Sequence, residues 1–158
     1  VVRGFDVSID DQFAAAGGTA ALQFNASYML DYKRQVTPLA PLIERVDTIS
    51  NPPDLRLRGS GSWDKGGFGI TATVNYVDSY RDDVSQPARK VGSWTTVDAQ
   101  LRYAPQKGTW RGLSVAFNVQ NLFDQDPPFV DQISGVGYGA ANADPLGRFV
   151  SLQLTRSW

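Results

Sequence analysis

Apolar residues recur at every second position in seven separate stretches, and that period of two commits the chain to strands, because only an extended backbone turns successive side chains to opposite faces. Residues 4–13 set Phe5, Val7, Ile9 and Phe13 against Asp6, Ser8, Asp10 and Gln12, and residues 20–34 set Leu22, Phe24, Ala26, Tyr28, Leu30 and Tyr32 against Gln23, Asn25, Ser27 and Asp31. Residues 54–64 place Leu57 and Trp63 opposite Arg56, Arg58, Ser60 and Ser62, and residues 67–80 place Phe68, Ile70, Ala72, Val74 and Tyr76 opposite Thr71, Thr73, Asn75 and Ser79. The pattern continues through 94–104 (Val97, Ala99, Leu101, Tyr103 against Thr96, Asp98, Gln100, Arg102) and 112–123 (Leu113, Val115, Phe117, Val119 against Ser114, Asn118, Gln120). It ends in 147–158, where Val150, Leu152, Leu154 and Trp158 alternate with Ser151, Gln153, Thr155 and Ser157. Helix is further disfavoured because Glu44 is the one Glu among 16 acidic residues and only four of 15 basic residues are Lys, so the usual surface-helix formers are scarce. The fold class is all-β, an antiparallel meander of about seven long strands.

The connectors alternate too. Residues 14–19, 65–67 and 105–112 are short, whereas 35–54, 81–94 and 124–147 are long and rich in Pro, Asp, Gly and Asn. Tight turns at one end and long loops at the other are the plan of an outer-membrane barrel, and strands of nine or more residues reach across a bilayer when tilted. Aromatic residues fall near both strand ends, as two interfacial belts require: Phe13, Trp63, Phe68, Tyr103, Trp110 and Trp158 by the short turns, and Phe5, Tyr28, Tyr32, Tyr76, Tyr80, Trp94 and Phe123 by the long loops. Asp11 and Arg156 interrupt the apolar face, both expected close to a short-turn end where a charge costs little. Bacterial barrels carry an even number of strands, so seven predicts at least one further strand upstream of Val1.

Several chemistries are excluded at once. The chain has no Cys and no His, hence no thiolate or imidazole nucleophile and no common zinc site. A net charge of −1 gives no field for general nucleic-acid binding. Asp124 and Asp126 are too few for Ca²⁺ and read as a turn before Pro127, while Gly17-Gly18 and Gly66-Gly67 read as hairpin turns, without the helix and Lys of a phosphate loop. No catalytic residue, metal or cofactor is expected.

Gly4-Phe5-Asp6 in an early strand, Asn121-Leu122-Phe123-Asp124 closing the penultimate one, and a last strand Gly147-Arg148-Phe149-Val150-Ser151-Leu152-Gln153-Leu154 ending in Trp158 together resemble the C-terminal part of the barrel of a TonB-dependent outer-membrane receptor. The resemblance covers essentially the whole chain. It implies the last seven strands of a 22-stranded barrel in the bacterial outer membrane, filled by an N-terminal plug that lies outside this sequence. It also implies uptake of a siderophore-type, cobalamin or oligosaccharide solute energised through TonB, with outer-membrane lipid, the plug, the TonB complex and the barrel-assembly machinery as partners.

On that reading Arg56, Arg58, Asp98, Gln100, Arg102, Asn118 and Gln120 face the lumen. Arg56 and Arg58, two apart on one face, suit a carboxylate or phosphate-like group, although pairing with Asp98 or a plug acid is the favoured arrangement. Tyr80, Arg81, Asp82, Trp94, Phe129, Asp131, Tyr138 and Asn142 are candidates for solute contact in the outer loops, with turn chemistry and interface anchoring as their ordinary roles. Val150, Leu152, Leu154 and Trp158 form the outward, aromatic-terminated edge that resembles an assembly signal. The rival readings are a small passive or structural outer-membrane barrel and, less well supported, a soluble β-sandwich binding module.

Overall fold

A computed structural model describes residues 1–131 and 135–157, so Trp158 lies outside the described residues. The strands are β1 (Val2–Ala15), β2 (Gly18–Arg34), β3 (Ile43–Glu44), β4 (Leu55–Lys65), β5 (Phe68–Val77), β6 (Tyr80–Asp82), β7 (Arg89–Val91), β8 (Trp94–Tyr103), β9 (Leu113–Gln120) and β10 (Phe149–Arg156). Seven of them form one antiparallel sheet in the order β1-β2-β4-β5-β8-β9-β10, with β3 paired to the end of β2 and a separate β6-β7 hairpin in the second long connector. Each strand of the main sheet pairs with the next long one in the chain, the meander that short turns and period-two patterning dictate.

Register carries the alternation across the whole sheet. Phe13, Ala20, Trp63, Ile70, Leu101, Phe117 and Leu152 stand side by side on one face. One residue along, Gln12, Ala21, Ser62, Thr71, Gln100, Asn118 and Ser151 stand side by side on the other. The apolar face is bare: Phe24 is 40% exposed and Leu152 63%. Among the described residues the buried apolar side chains are Ile49, Tyr80, Val91, Ala116, Val119 and Val130, and four of these belong to the long connectors. A water-soluble sheet hides one face against a second layer; here no second sheet covers the apolar rows among the described residues, which removes the β-sandwich reading.

Three local departures from the simple pattern have physical causes. The first hairpin turns at Ala16-Gly17, both with positive φ (50° and 71°), one residue earlier than Gly17-Gly18, and this two-residue turn lets β1 run on to Ala15. Asp11 therefore stands four residues inside the strand, in a row with Leu22, Gly61 and Ala72, and not at the rim. β2 carries a bulge: Gly4 pairs with Met29 but Arg3 pairs with Asp31, so Leu30 is an extra residue and the faces exchange beyond it. Asp31 consequently leaves the polar face and joins Arg3 and Lys33 in an ionic cluster beyond the Phe5–Tyr28 pair of the apolar face, whose rings lie 5.5 Å apart. Finally, β9 stops at Gln120 and not near residue 123, because Asn121 (φ 49°) and Asp124 (φ 55°) fold the Asn-Leu-Phe-Asp element into a turn.

Candidate functional site

The polar face of the sheet and the long connectors meet at one end, because every long connector leaves and re-enters there. Along the polar wall, amides and hydroxyls link strand to strand. Gln100 Nε2 donates to Asn118 Oδ1 at 2.6 Å and Asn118 Nδ2 to Ser151 Oγ at 3.4 Å. Arg58 Nη1 donates to Asn75 Oδ1 at 3.0 Å, and Asn75 Nδ2 donates on to Asp98 Oδ2 at 2.9 Å. Arg102 pairs with Asp64 at 2.5 Å. A groove of about 340 Å³ runs along this wall, lined by Arg58, Asp98, Gln100, Asn118, Gln120 and Ser151.

Above the wall the connectors pack into one body. Ile49 of the first, Tyr80 and Val91 of the second and Val130 of the third form an apolar cluster. Around it, Arg45 reaches Asp83 at 3.2 Å, and Arg81 N donates to Asp47 O at 2.7 Å. Asn142 ties all three connectors to the wall. Its Oδ1 accepts from Arg56 Nη2 at 2.5 Å, its Nδ2 donates to Asn51 O at 3.1 Å, and its side chain hydrogen-bonds the Tyr80 hydroxyl. Gly139 is required beside it, since a Cβ there would overlap that hydroxyl. The third connector thus leans back to a wall residue three strands away from β9.

Charge in the cluster is tuned by hydrogen bonds and burial. Asp82 is held below its ordinary value, first by the Ser85 hydroxyl at 2.6 Å and also by the Val84 and Ser85 amides, each at 3.1 Å. The Glu44 carboxyl is lowered chiefly by the Tyr32 amide at 2.8 Å, with help from the Val46 and Arg45 amides. Asp47 moves the other way, pushed up by burial against the lowering effect of the Asp54 amide. Burial likewise raises the Tyr80 phenol.

The wall residues Arg56, Arg58, Asp98, Gln100, Arg102 and Asn118 lie on one face with Ser62 and Ser151, and Gln120 lines the same groove. Neither Arg56 nor Arg58 pairs directly with Asp98: Asn75 stands between Arg58 and that acid, and Arg56 turns to the third connector. Of the loop candidates, Arg81, Phe129 and Asp131 are exposed, and Trp94 and Tyr138 are half-buried. Tyr80, Asp82 and Asn142 are instead buried inside the cluster. Val150, Leu152 and Leu154 stand exposed on the apolar face of the edge strand β10.

Sequence reasoning missed the joints. Asn121 closes its turn with bonds of 2.9 and 3.0 Å to the backbone of Gln125, and Asp124 accepts the Arg148 amide at 2.7 Å, clasping the exit of β9 to the entry of β10. The left-handed tolerance of Asn and Asp was the available signal. Among the described residues no group of three or more acidic side chains is arranged to hold a metal.

No curated protein and no solved structure matches this chain. Residues 1–122, more than three quarters of the 158, match the family model described as TonB dependent receptor-like, beta-barrel. With an all-β meander, one bare apolar face and one hydrogen-bonded polar face, the chain belongs to the TonB-dependent receptor β-barrel family.

Proposed function

We propose that this chain is a sector of the barrel of an active-transport receptor, seated in the bacterial outer membrane and energised through TonB. The family is one of outer-membrane receptors that transport solutes. The observation that carries the reading is the division of the sheet: apolar rows bare on one face, a continuous polar ladder on the other. Lipid takes the first face at little cost, and a wet or plugged interior takes the second. Gln100, Arg102, Asn118 and Gln120 then line the interior, and the packed connectors stand over its outer mouth. Arg81, Phe129, Asp131, Trp94 and Tyr138 offer surface to an arriving solute of the siderophore, cobalamin or oligosaccharide class. The plug of the full-length protein fills the barrel, and its TonB contact supplies the drive. Val150, Leu152 and Leu154 act on the edge strand β10, with Trp158 following in the sequence, where an open edge invites strand addition by the barrel-assembly machinery.

The test uses the full-length receptor in cells with and without TonB. It is expected in the outer-membrane fraction as a heat-modifiable band, and accumulation of one member of a panel of ferric siderophores, cobalamin and maltodextrins is expected to stop when TonB is deleted or the proton gradient is collapsed. A soluble protein, or uptake indifferent to both treatments, overturns the reading.

A further inference from the structure

Two arginines of the wall carry uncompensated charge. Arg56 and Arg58 stand two apart on β4 and both are exposed. Among the described residues neither forms an ion pair, whereas Arg102 on the same face is neutralised by Asp64. Their contacts are with neutral acceptors: Asn142 Oδ1 and Ala141 O for Arg56, at 2.5 and 3.2 Å, and Asn75 Oδ1 for Arg58.

The acids of the wall are occupied elsewhere. Asp98 accepts from the Asn121 amide at 3.0 Å with one oxygen and from Asn75 with the other. Asp6 shares Arg56's row but lies two strands away, about 10 Å, and accepts the Ser27 hydroxyl at 2.5 Å. Asp6 and Arg56 border one groove, yet among the described residues they form no ion pair. Asp10 stands in the row of Ser60, again two strands from β4, within reach of the Ser8 hydroxyl at 3.4 Å.

We infer that Arg56 and Arg58 form an anion site on the interior wall that takes a carboxylate-bearing group. Residues two apart on a strand leave the same face about 6.6 Å apart at the backbone, and two guanidinium forks drawn from their neutral partners Asn142 and Asn75 toward one another grip one polycarboxylate or two neighbouring carboxylates. This rests on the reading that the polar face looks into the barrel. Two sources carry the same chemistry: an acidic side chain of the plug, and an anionic group of the transported solute.

The experiment uses the full-length receptor purified in detergent, with citrate as the probe followed by calorimetry, and heat-modifiable mobility as the check of folding. If the site serves the solute, citrate binds the wild type, and Arg56→Gln/Arg58→Gln weakens it by roughly tenfold or more, as does raising the salt from about 0.1 to about 0.5 M. If a plug acid holds the site, citrate does not bind the wild type, and the double variant releases its plug to protease several-fold faster while the barrel's mobility is unchanged. Citrate binding unaltered by the double variant, or no binding together with equal plug resistance, overturns the site. Should the double variant fail to fold, Arg56→Lys and Arg58→Lys are measured separately; each keeps the charge, loses the fork and is expected to shift the same readout severalfold, and no shift in either overturns the site. Failure of the transport reading is separable. TonB-independent uptake alongside citrate binding sensitive to these arginines sinks the receptor assignment alone.

Discussion

One amide side chain holds together more of the outer end than any cation or aromatic there. Asn142 is buried, serves Arg56 as acceptor and Asn51 as donor, and meets the Tyr80 hydroxyl, so it links three connectors and the wall. Removing it takes a partner from the buried Tyr80 hydroxyl and from the half-buried Asn51 carbonyl, and one acceptor from Arg56. Leaving a buried polar group unpaired costs about 1–3 kcal/mol, a local cost since the wall does not depend on it. Asn142→Ala is therefore expected to speed hydrogen exchange at the Ala143 amide, now bonded to Gly139 O at 3.0 Å, by about 10- to 100-fold. Exchange in β5 and β8 stays unchanged. Asn142→Asp restores an acceptor for Arg56 and is expected to recover most of the protection. Nothing in the sequence pointed to this role: the partners of Asn142 lie 86 and 91 residues away along the chain, and an Asn in a Gly-rich loop ordinarily signals a turn.

At the scale of elements, the strands were legible and the connectors were not. Period-two alternation needs only one greasy face and announces itself in each strand separately, which is why β4, β5 and β8 fall within a residue of expectation at their ends toward the short turns. A connector's structure depends on partners in other connectors. Tyr80 reads as the last residue of a strand by its position in the alternation, yet Asp78 halts β5 by bonding the Ser79 amide at 2.6 Å, and Tyr80 begins the β6-β7 hairpin. Acid is expected to loosen these connectors before the sheet. Asp82 and Glu44 have folded-state values below the ordinary 3.8 and 4.5, so their contribution is complete above those values and is lost as pH falls through the lowered ones. Asp47 has the opposite sign: raised above 3.8, it favours folding in acid and its contribution fades as pH rises through its raised value. Limited proteolysis of the full-length receptor is expected to show the connectors opening below pH 3.8 in the wild type, and Asp82→Asn is expected to remove part of that acid sensitivity while lowering protection at neutral pH.

For the molecule as a whole, the seat in the bilayer follows from which face tolerates charge. Phe24 lies in the row of Ile9, Gly59, Val74 and Val97 on the apolar face, and the adjacent Gln23 in the row of Asp10, Ser60, Thr73 and Asp98 on the polar one. In the full-length receptor refolded into lipid, Phe24→Arg is expected to cost about 2–4 kcal/mol by chemical unfolding if the residue sits near the midplane, and Gln23→Arg less than about 0.5 kcal/mol. Equal penalties for the two contradict a lipid-facing sheet. The bulge at Leu30 is where the apolar rows of β1 and β2 give way to the charges of Arg3, Asp31 and Lys33. A strand counts in twos, so a single surplus residue acts as a parity shift: below it odd and even keep their sides, above it they trade. Deleting Leu30 would take out the surplus and leave plain alternation through β2, with Asp31 still opposite Arg3 and Tyr32 opposite Val2, so the flanking rows would keep their sides and only the local kink of the strand would be lost.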